Sequence, residues 1–330
     1  MGALAIVSAA DSKFFPLLRD LIASIRDKPQ GRAVQLYVMD AGLSPAEKTW
    51  LAEQRATVVT VPWPYPTGVS GPQRVLAMRC QIPALVPQHD IYLWLDADTW
   101  IQDWAAIELY RSAAEDREFC MTAEVDRSFE IGTLVQWNTL VPRRIFGDGS
   151  ARHLAGKPLL NAGVFAGRSR APHWAAWQRR VEEALSHAST DFFLDQIALN
   201  LVAYVDGLDI AVLPPHYNWV CNRALPRTTA DGKTLLDPQP PYQPLGIVHL
   251  ADTTKRQKFV LRAMGGGLIA RSLRYAAEPT NAVDPNDPSA AEIGLALGDA
   301  ATYWHLRAAH RLRRLLTADP HNVHALINLG

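Results

Sequence analysis

The sequence predicts an α/β protein with a mainly parallel sheet flanked by helices. Short apolar runs alternate with stretches of helical spacing along most of the chain. One run, Ile91-Tyr92-Leu93-Trp94-Leu95, has no polar break, as expected of a strand covered on both faces. That run ends in Asp96-Ala97-Asp98, a charged tip at the carboxyl edge where such sheets bind ligands.

The elements follow in order. Residues 4–7 read as a strand, Ser8-Ala9-Ala10-Asp11 as a turn, and Phe14, Leu17, Leu18, Leu21, Ile22 and Ile25 as one face of a helix. The unit repeats with a strand at 34–39, a turn at Asp40-Ala41-Gly42, and a helix start at Ser44-Pro45-Ala46-Glu47, which supplies an N-cap, an N1 proline and an N3 glutamate. Residues 57–61 are a third strand, 62–72 a proline-rich loop, and 73–85 a helix interrupted at Pro83. Beyond the carboxylates, 119–125 read as a strand and 126–157 as an irregular insertion carrying Trp137, Arg143 and Arg144. Residues 159–165 form a strand with a polar notch, 172–187 and 192–204 helices, and 210–213 a strand stopped by Pro214-Pro215. Residues 224–244 are expected to run over the surface before 246–250 return to the sheet. A helix is expected over 256–275, broken at Gly265-Gly266-Gly267.

The expected domains are 1–277, a linker at 278–290, and a helical extension at 291–330. In the extension, Ala325, Leu329 and Gly330 after the Pro320-His321-Asn322 turn resemble the start of a tetratricopeptide repeat, which would offer a protein partner a surface. A plain terminal hairpin reads the same way.

Composition excludes several classes. With 330 residues and 48% hydrophobic content the chain can bury one large core and a smaller element. Lys+Arg and Asp+Glu balance at 33 each, so no net field draws it to nucleic acid. No cationic leader or long apolar span is apparent, which leads to the expectation of a cytoplasmic protein. Cys80, Cys120 and Cys221 are too widely spaced for a zinc pattern or a disulfide framework and read as buried thiols.

The chemistry gathers around the charged tip. In an extended chain Asp96 and Asp98 fall on the same side, where two carboxylates repel unless a cation lies between them. A divalent metal site is the expectation, although one Asp-x-Asp is a weak motif by itself. Asn161-Ala162-Gly163 pairs an amide with two small residues, which would let a sugar ring approach the backbone. Asp195-Gln196 on a helix could hold hydroxyls, or belong to a solvated face. Leu213-Pro214-Pro215-His216-Tyr217-Asn218 is a stiffened turn followed at once by polar residues. His249, at the end of an apolar run, suits a divalent ion already held by carboxylates, and Lys255 would stand near any anion that ion holds. The basic stretch Lys255, Arg256, Lys258, Arg262, Arg271 and Arg274 could touch anionic lipid or form a solvated helix face.

Taken together and in order, Asp96-Ala97-Asp98, Asn161-Ala162-Gly163-Val164, Asp195-Gln196, Leu213-Pro214 with Tyr217-Asn218, and His249 with Lys255 resemble glycosyltransferase family 8, retaining enzymes of the GT-A fold. Residues 78–87 are similar to the family's arginine-containing helix, which marks Arg79 as a contact for the donor sugar. The resemblance spans about residues 3–255 and implies a UDP-sugar donor and a hexose moved to an acceptor hydroxyl. It implies a metal held by Asp96, Asp98 and His249, with Mn²⁺ preferred to Mg²⁺ for a carboxylate and imidazole set. Ala9, Ala10 and Asp11 would hold the uridine, Asp96 and Ala97 the ribose side, Lys255 the pyrophosphate, and Asn161 and Ala162 the sugar. Asp195 and Gln196 would act at the anomeric carbon. A front-face route is favoured over a covalent intermediate on Asp195. The chain departs from the family at Asp252, where glycine is usual, and at Arg256-Gln257, where Pro-Trp is common. An inverting transferase on a similar sheet and a non-catalytic scaffold are the competing readings.

Overall fold

The computed structural model describes residues 2–65, 68–187, 189–281 and 288–329. Strand β1 (Leu4–Ala10) continues through the expected turn and leads into helix α1 (Phe15–Arg26), whose Leu17, Leu18, Leu21, Ile22 and Ile25 are buried. Next come β2 (Gln35–Asp40), α2 (Pro45–Glu53) and β3 (Ala56–Val59). The capping box that opens α2 forms as expected: Ser44 Oγ accepts from Glu47 N, and Glu47 accepts from Ser44 N at 2.7 Å. The expected helix over 73–85 is α3 (Gly71–Ala77), a 3₁₀ turn carrying Arg79, and α4 (Ile82–Leu85).

Strand β4 (Ile91–Leu95) is buried along its whole length. Ile91, Leu93 and Leu95 enter the core on one face of the sheet, and Tyr92 and Trp94 the core on the other. This alternation explains the unbroken apolar run, since both sides of the strand must be dry. After β5 (Thr99–Ile101), α5 (Ala105–Arg117) and β6 (Phe119–Ala123), residues 131–154 are helical rather than irregular, as α6 (Ile131–Leu154), two helical stretches with a break at Gly147. Leu134, Asn138, Val141 and Ile145 lie on its buried side at helical spacing. Pro142, Gly149 and Gly147, where φ is 80°, obscure that stripe in the sequence.

The chain then forms β7 (Leu160–Arg168), α7 (Pro172–Ser186), α8 (Leu194–Tyr204) and β8 (Ala211–Leu213). The main sheet has seven strands in the order β3-β2-β1-β4-β7-β6-β8. β7 runs antiparallel to both neighbours and the remaining pairs are parallel. The α/β class and the mainly parallel sheet are therefore as expected. The antiparallel β7 brings the start of that strand, with Asn161, beside the end of β4.

Past β8 the structure departs further from expectation. β9 (Trp219–Val220), β5 and β12 (Ile247–His249) form a separate three-stranded sheet, so residues 246–250 do not rejoin the main one. Between them, β10 (Arg227–Thr228) and β11 (Leu235–Leu236) pair, and Thr228, Leu235 and Asp237 are buried, so 224–244 is partly core rather than a surface excursion. The expected helix over 256–275 is the hairpin of β13 (Lys258–Arg262) and β14 (Leu268–Ser272), joined by β15 (Thr280–Asn281). Phe259 and Leu261 are buried while Lys258 and Arg262 are exposed, which is a period of two, and Gly265 and Gly266 turn the chain at φ 84° and 96°. Arg271 is buried and Arg274 pairs with Asp20, so the basic stretch forms no continuous helix face.

The part of the expected linker at 282–287 lies outside the described residues. The extension follows as α9 (Pro288–Ala301), α10 (His305–Ala318) and α11 (Val323–Leu329). Its first helix packs on β13, and a Cβ added at Gly294 would lie 2.3 Å from Val260 Cγ2. Among the described residues no helix is long and apolar enough to cross a membrane.

Candidate functional site

One cavity of about 460 Å³ opens at the carboxyl edge of β1 and β4. Asp96, Ala97 and Asp98 turn the chain from β4 into β5. Pairing of β12 with β5 places His249 opposite Thr99, and Leu250 N donates to Asp98 O at 2.8 Å. The aspartates and the histidine, more than a hundred residues apart, therefore meet through a ladder register. Ligand atoms of Asp96, Asp98 and His249 all lie within 4.8 Å of one another. Lys255 Nζ sits 2.8 Å from Asp98 Oδ2 and 4.9 Å from the centre of the Phe14 ring.

The charges at this tip are unequal. Burial raises Asp98, but the His249 imidazole and Lys255 ammonium beside it overcome that and hold the carboxyl at about 2. Asp96 goes the other way, to about 6, because burial and the Asp98 charge outweigh the help of Arg79, His249 and Trp94. Burial lowers His249, and the two carboxylates raise it by more. A cation among the three groups would relieve both the burial and the repulsion. Two carboxylates and an imidazole are a donor set that divalent first-row metals accept. These residues fit such an ion.

Arg79 is buried beneath Asp96. Its Nε donates to Asp195 Oδ2 at 2.6 Å, its Nη2 makes a shorter contact to the same oxygen, and its Nη1 donates to Ala162 O at 2.6 Å and to Asp96 Oδ1 at 3.3 Å. The guanidinium lies 5.1 Å from the centre of the Trp94 ring. Asp195 is 2% exposed, in the first turn of α8, and burial raises its carboxyl against the pull of Arg79. Gln196 Oε1 accepts from Ala162 N at 3.0 Å. Asn200 anchors this contact, exchanging hydrogen bonds with both backbone groups of Leu160 at 2.9 Å and so tying α8 to the start of β7.

The structure brings nearly all the expected residues to one cavity. Ala9, Ala10, Asp11, Arg79, Asp96, Ala97, Asp98, Asn161, Asp195, Gln196, His249 and Lys255 line it. Asp11 Oδ1 also caps the following turn by accepting from Phe14 N at 2.9 Å. Ala162 is fully buried and does not line the cavity; Gly163 does. A Cβ at Gly163 would lie 2.3 Å from His249 Cε1 and 3.0 Å from Asp96 Oδ2, so the space that small residue leaves is filled by the candidate ligands themselves.

Several lining residues were not among those expected at the site. Trp137, Phe192 and Phe193 form an aromatic rim, with the Trp137 and Phe193 rings 4.9 Å apart. Trp137 reaches it from α6, the segment expected to be irregular. Glu124, directly after β6, is buried, and a polar residue at a strand end was the available signal. Asp252 adopts φ 48°, the left-handed region where the resembled family usually has glycine, and its Oδ2 accepts from Asn222 Nδ2 at 2.6 Å. Tyr303, between α9 and α10, lines the same cavity, and no local pattern linked it to a site fifty residues upstream.

No family model matches the sequence, and no curated protein matches it. Among solved structures, the galactosyltransferase LgtC in complex with donor and acceptor sugar analogues aligns over 76% of this chain and 88% of its own, at 16% identity and a TM-score of 0.49. The bifunctional glycosyltransferase WbbM aligns over 66% of this chain and 40% of its own, at 17% identity and a TM-score of 0.48. The glycosyltransferase GlyE of Streptococcus pneumoniae aligns over 76% and 55%, at 15% identity and a TM-score of 0.46.

Proposed function

We propose that this chain is a retaining glycosyltransferase of GT-A type that moves a hexose from a UDP-sugar to an acceptor hydroxyl. The observation that carries the proposal is the cluster of Asp96, Asp98, His249 and Lys255 at the sheet edge, in a cavity that continues from Ala9 to Gln196. A nucleotide sugar needs a base pocket, a cationic diphosphate site and a polar sugar end, in that order.

The residues divide the work accordingly. Ala9, Ala10, Asp11 and Phe14 offer a surface for the uridine, and Lys255 sets an ammonium beside the leaving diphosphate. A divalent cation bound by Asp96, Asp98 and His249, Mn²⁺ in preference to Mg²⁺, would supply Lewis-acid stabilisation of that diphosphate. At the other end Gln196 and Asn161 face the sugar, and the Trp137, Phe192 and Phe193 rim limits water access to it. Asp195 is engaged by Arg79, which suits a fixed negative charge near the anomeric carbon better than an attacking nucleophile. This supports a front-face route in which the leaving phosphate takes the acceptor proton. We place the protein in the cytoplasm and assign the C-terminal helices, read as the start of a helical repeat, to a protein partner or acceptor.

The test is a screen for UDP release over nucleotide sugars with Mn²⁺, with Asp98→Ala as control and the product anomer read by NMR. Release from at least one UDP-sugar with a retained anomer, lost in Asp98→Ala, is the expected result. Release that survives the substitution removes the metal assignment, and an inverted product removes the retaining one.

A further inference from the structure

We propose that Asn218, Asn161 and Glu124 form a buried relay that holds His249 as its Nδ1–H tautomer and turns the Nε2 lone pair toward Asp96 and Asp98. The purpose of the relay rests on the metal-site reading above; its geometry does not. All four residues are at least nine-tenths buried.

The relay has two ends whose roles chemistry decides. At one, the backbone N–H of Gly163 can only donate, and it lies 2.8 Å from Asn161 Oδ1. At the other, the Glu124 carboxylate, which accepts from Arg223 Nε at 2.6 Å, lies 2.7 Å from Asn161 Nδ2. Only one orientation of the Asn161 amide satisfies both neighbours. Its oxygen then also meets Asn218 at 2.9 Å, so the Asn218 atom there is the donating Nδ2. That leaves Asn218 Oδ1 turned to His249 Nδ1 at 2.9 Å. An amide oxygen has no proton to give, so the proton sits on Nδ1. Reversing any one link would set two donors or two acceptors face to face in a dry site, which costs about 1–3 kcal/mol per unmet group.

The consequence falls on the other ring nitrogen. Nε2 stands 3.5 Å from Asp98 Oδ1, long for a hydrogen bond. A lone pair facing two carboxylates is repulsive until a proton or a metal ion takes it, which is why the carboxylates raise His249. Because folding has already selected the tautomer that binds a metal through Nε2, no rearrangement is needed on binding, and partners of this kind raise metal affinity about 10- to 100-fold. Asn218, Asn161 and Glu124 are thus positioning residues. The last link, Arg223, packs against the Tyr303 ring at 5.9 Å, which couples the relay to the C-terminal helices.

The test reads the imidazole directly in metal-free, ¹⁵N-labelled protein at alkaline pH by long-range proton–nitrogen correlation, with His249→Gln to assign the signals. The expected wild-type pattern is a protonated Nδ1 and a bare Nε2. Asn218→Ala and Asn218→Leu, which leave Nδ1 without an acceptor, should move His249 toward the Nε2–H form and weaken Mn²⁺ binding about 10- to 100-fold, followed by the electron paramagnetic resonance of free Mn²⁺, with circular dichroism unchanged. Should Asn218→Ala not fold, the near-isosteric Asn218→Leu carries the comparison. An Nε2–H wild type, or variants that keep both tautomer and affinity, would overturn the relay. Wild-type protein that shows Nδ1–H but binds no Mn²⁺ would leave the relay standing and remove the metal reading.

Discussion

Gly163 illustrates how a single residue governs the site. It lacks the left-handed backbone that usually explains a glycine, yet an added Cβ would fall 2.8 Å from Asn161 Oδ1 and closer still to His249. Neither neighbour can retreat, since the relay and the β12 register hold them. Gly163→Ala should therefore lower the melting temperature of the metal-free protein and lose the further rise that Mn²⁺ gives the wild type, and a full rise in the variant would refute the packing argument. A second residue-scale expectation concerns pH. Asp40 ends β2 and accepts from Gly42 N at 2.9 Å and Leu43 N at 2.8 Å, with Lys48 beside it. Burial raises its carboxyl, and these contacts together lower it below the usual value. Since the folded value lies below the unfolded one, the stabilisation is present at neutral pH and is lost as pH falls through the carboxylate range. Urea midpoints of wild type and Asp40→Asn should differ at neutral pH and converge in acid.

At the scale of elements, α9 is the informative case. Its glycines at 294 and 298 face Val260 and Leu225, and a Cβ at Gly298 would lie 2.7 Å from Leu225 Cδ1. Small residues one turn apart let the helix lie close against the hairpin. A β-branched residue there has no room, and overpacking of this kind costs about 1–3 kcal/mol. Gly294→Val should lower the urea midpoint accordingly; a variant as stable as wild type would show that α9 docks elsewhere. The hairpin under α9 also shows why the sequence misled. A run of three glycines in a basic stretch looks like a broken helix, whereas the strand period shows only in the burial of Phe259 and Leu261 on either side of half-buried Val260, a run of five residues with no polar residue between its apolar ones.

For the whole molecule, the site draws on β1, the β4–β5 turn, β7, α8, β12 and the α9–α10 turn, so a ligand bound there bridges most of the fold. A metal that binds only the folded chain stabilises it by mass action, about 2.7 kcal/mol at a free concentration one hundred times the dissociation constant. Mn²⁺ should raise the melting temperature of chelator-treated protein progressively with concentration, and Asp98→Asn should abolish the rise. Equal rises in both proteins would show that the ion binds elsewhere.

By itself the sequence determined the α/β class, most strands and helices up to residue 123, and a set of expected site residues of which all but Ala162 line the cavity. Those signals are local: an unbroken apolar run, a capping box, polar residues at strand ends. Tertiary structure alone decided the direction of β7, the separate sheet that carries His249 to Asp98, the pairing of Arg79 with Asp195, and the arrival of Trp137 and Tyr303. Each depends on a strand register or on packing between segments far apart in the chain, and neither leaves a periodic trace in either segment alone.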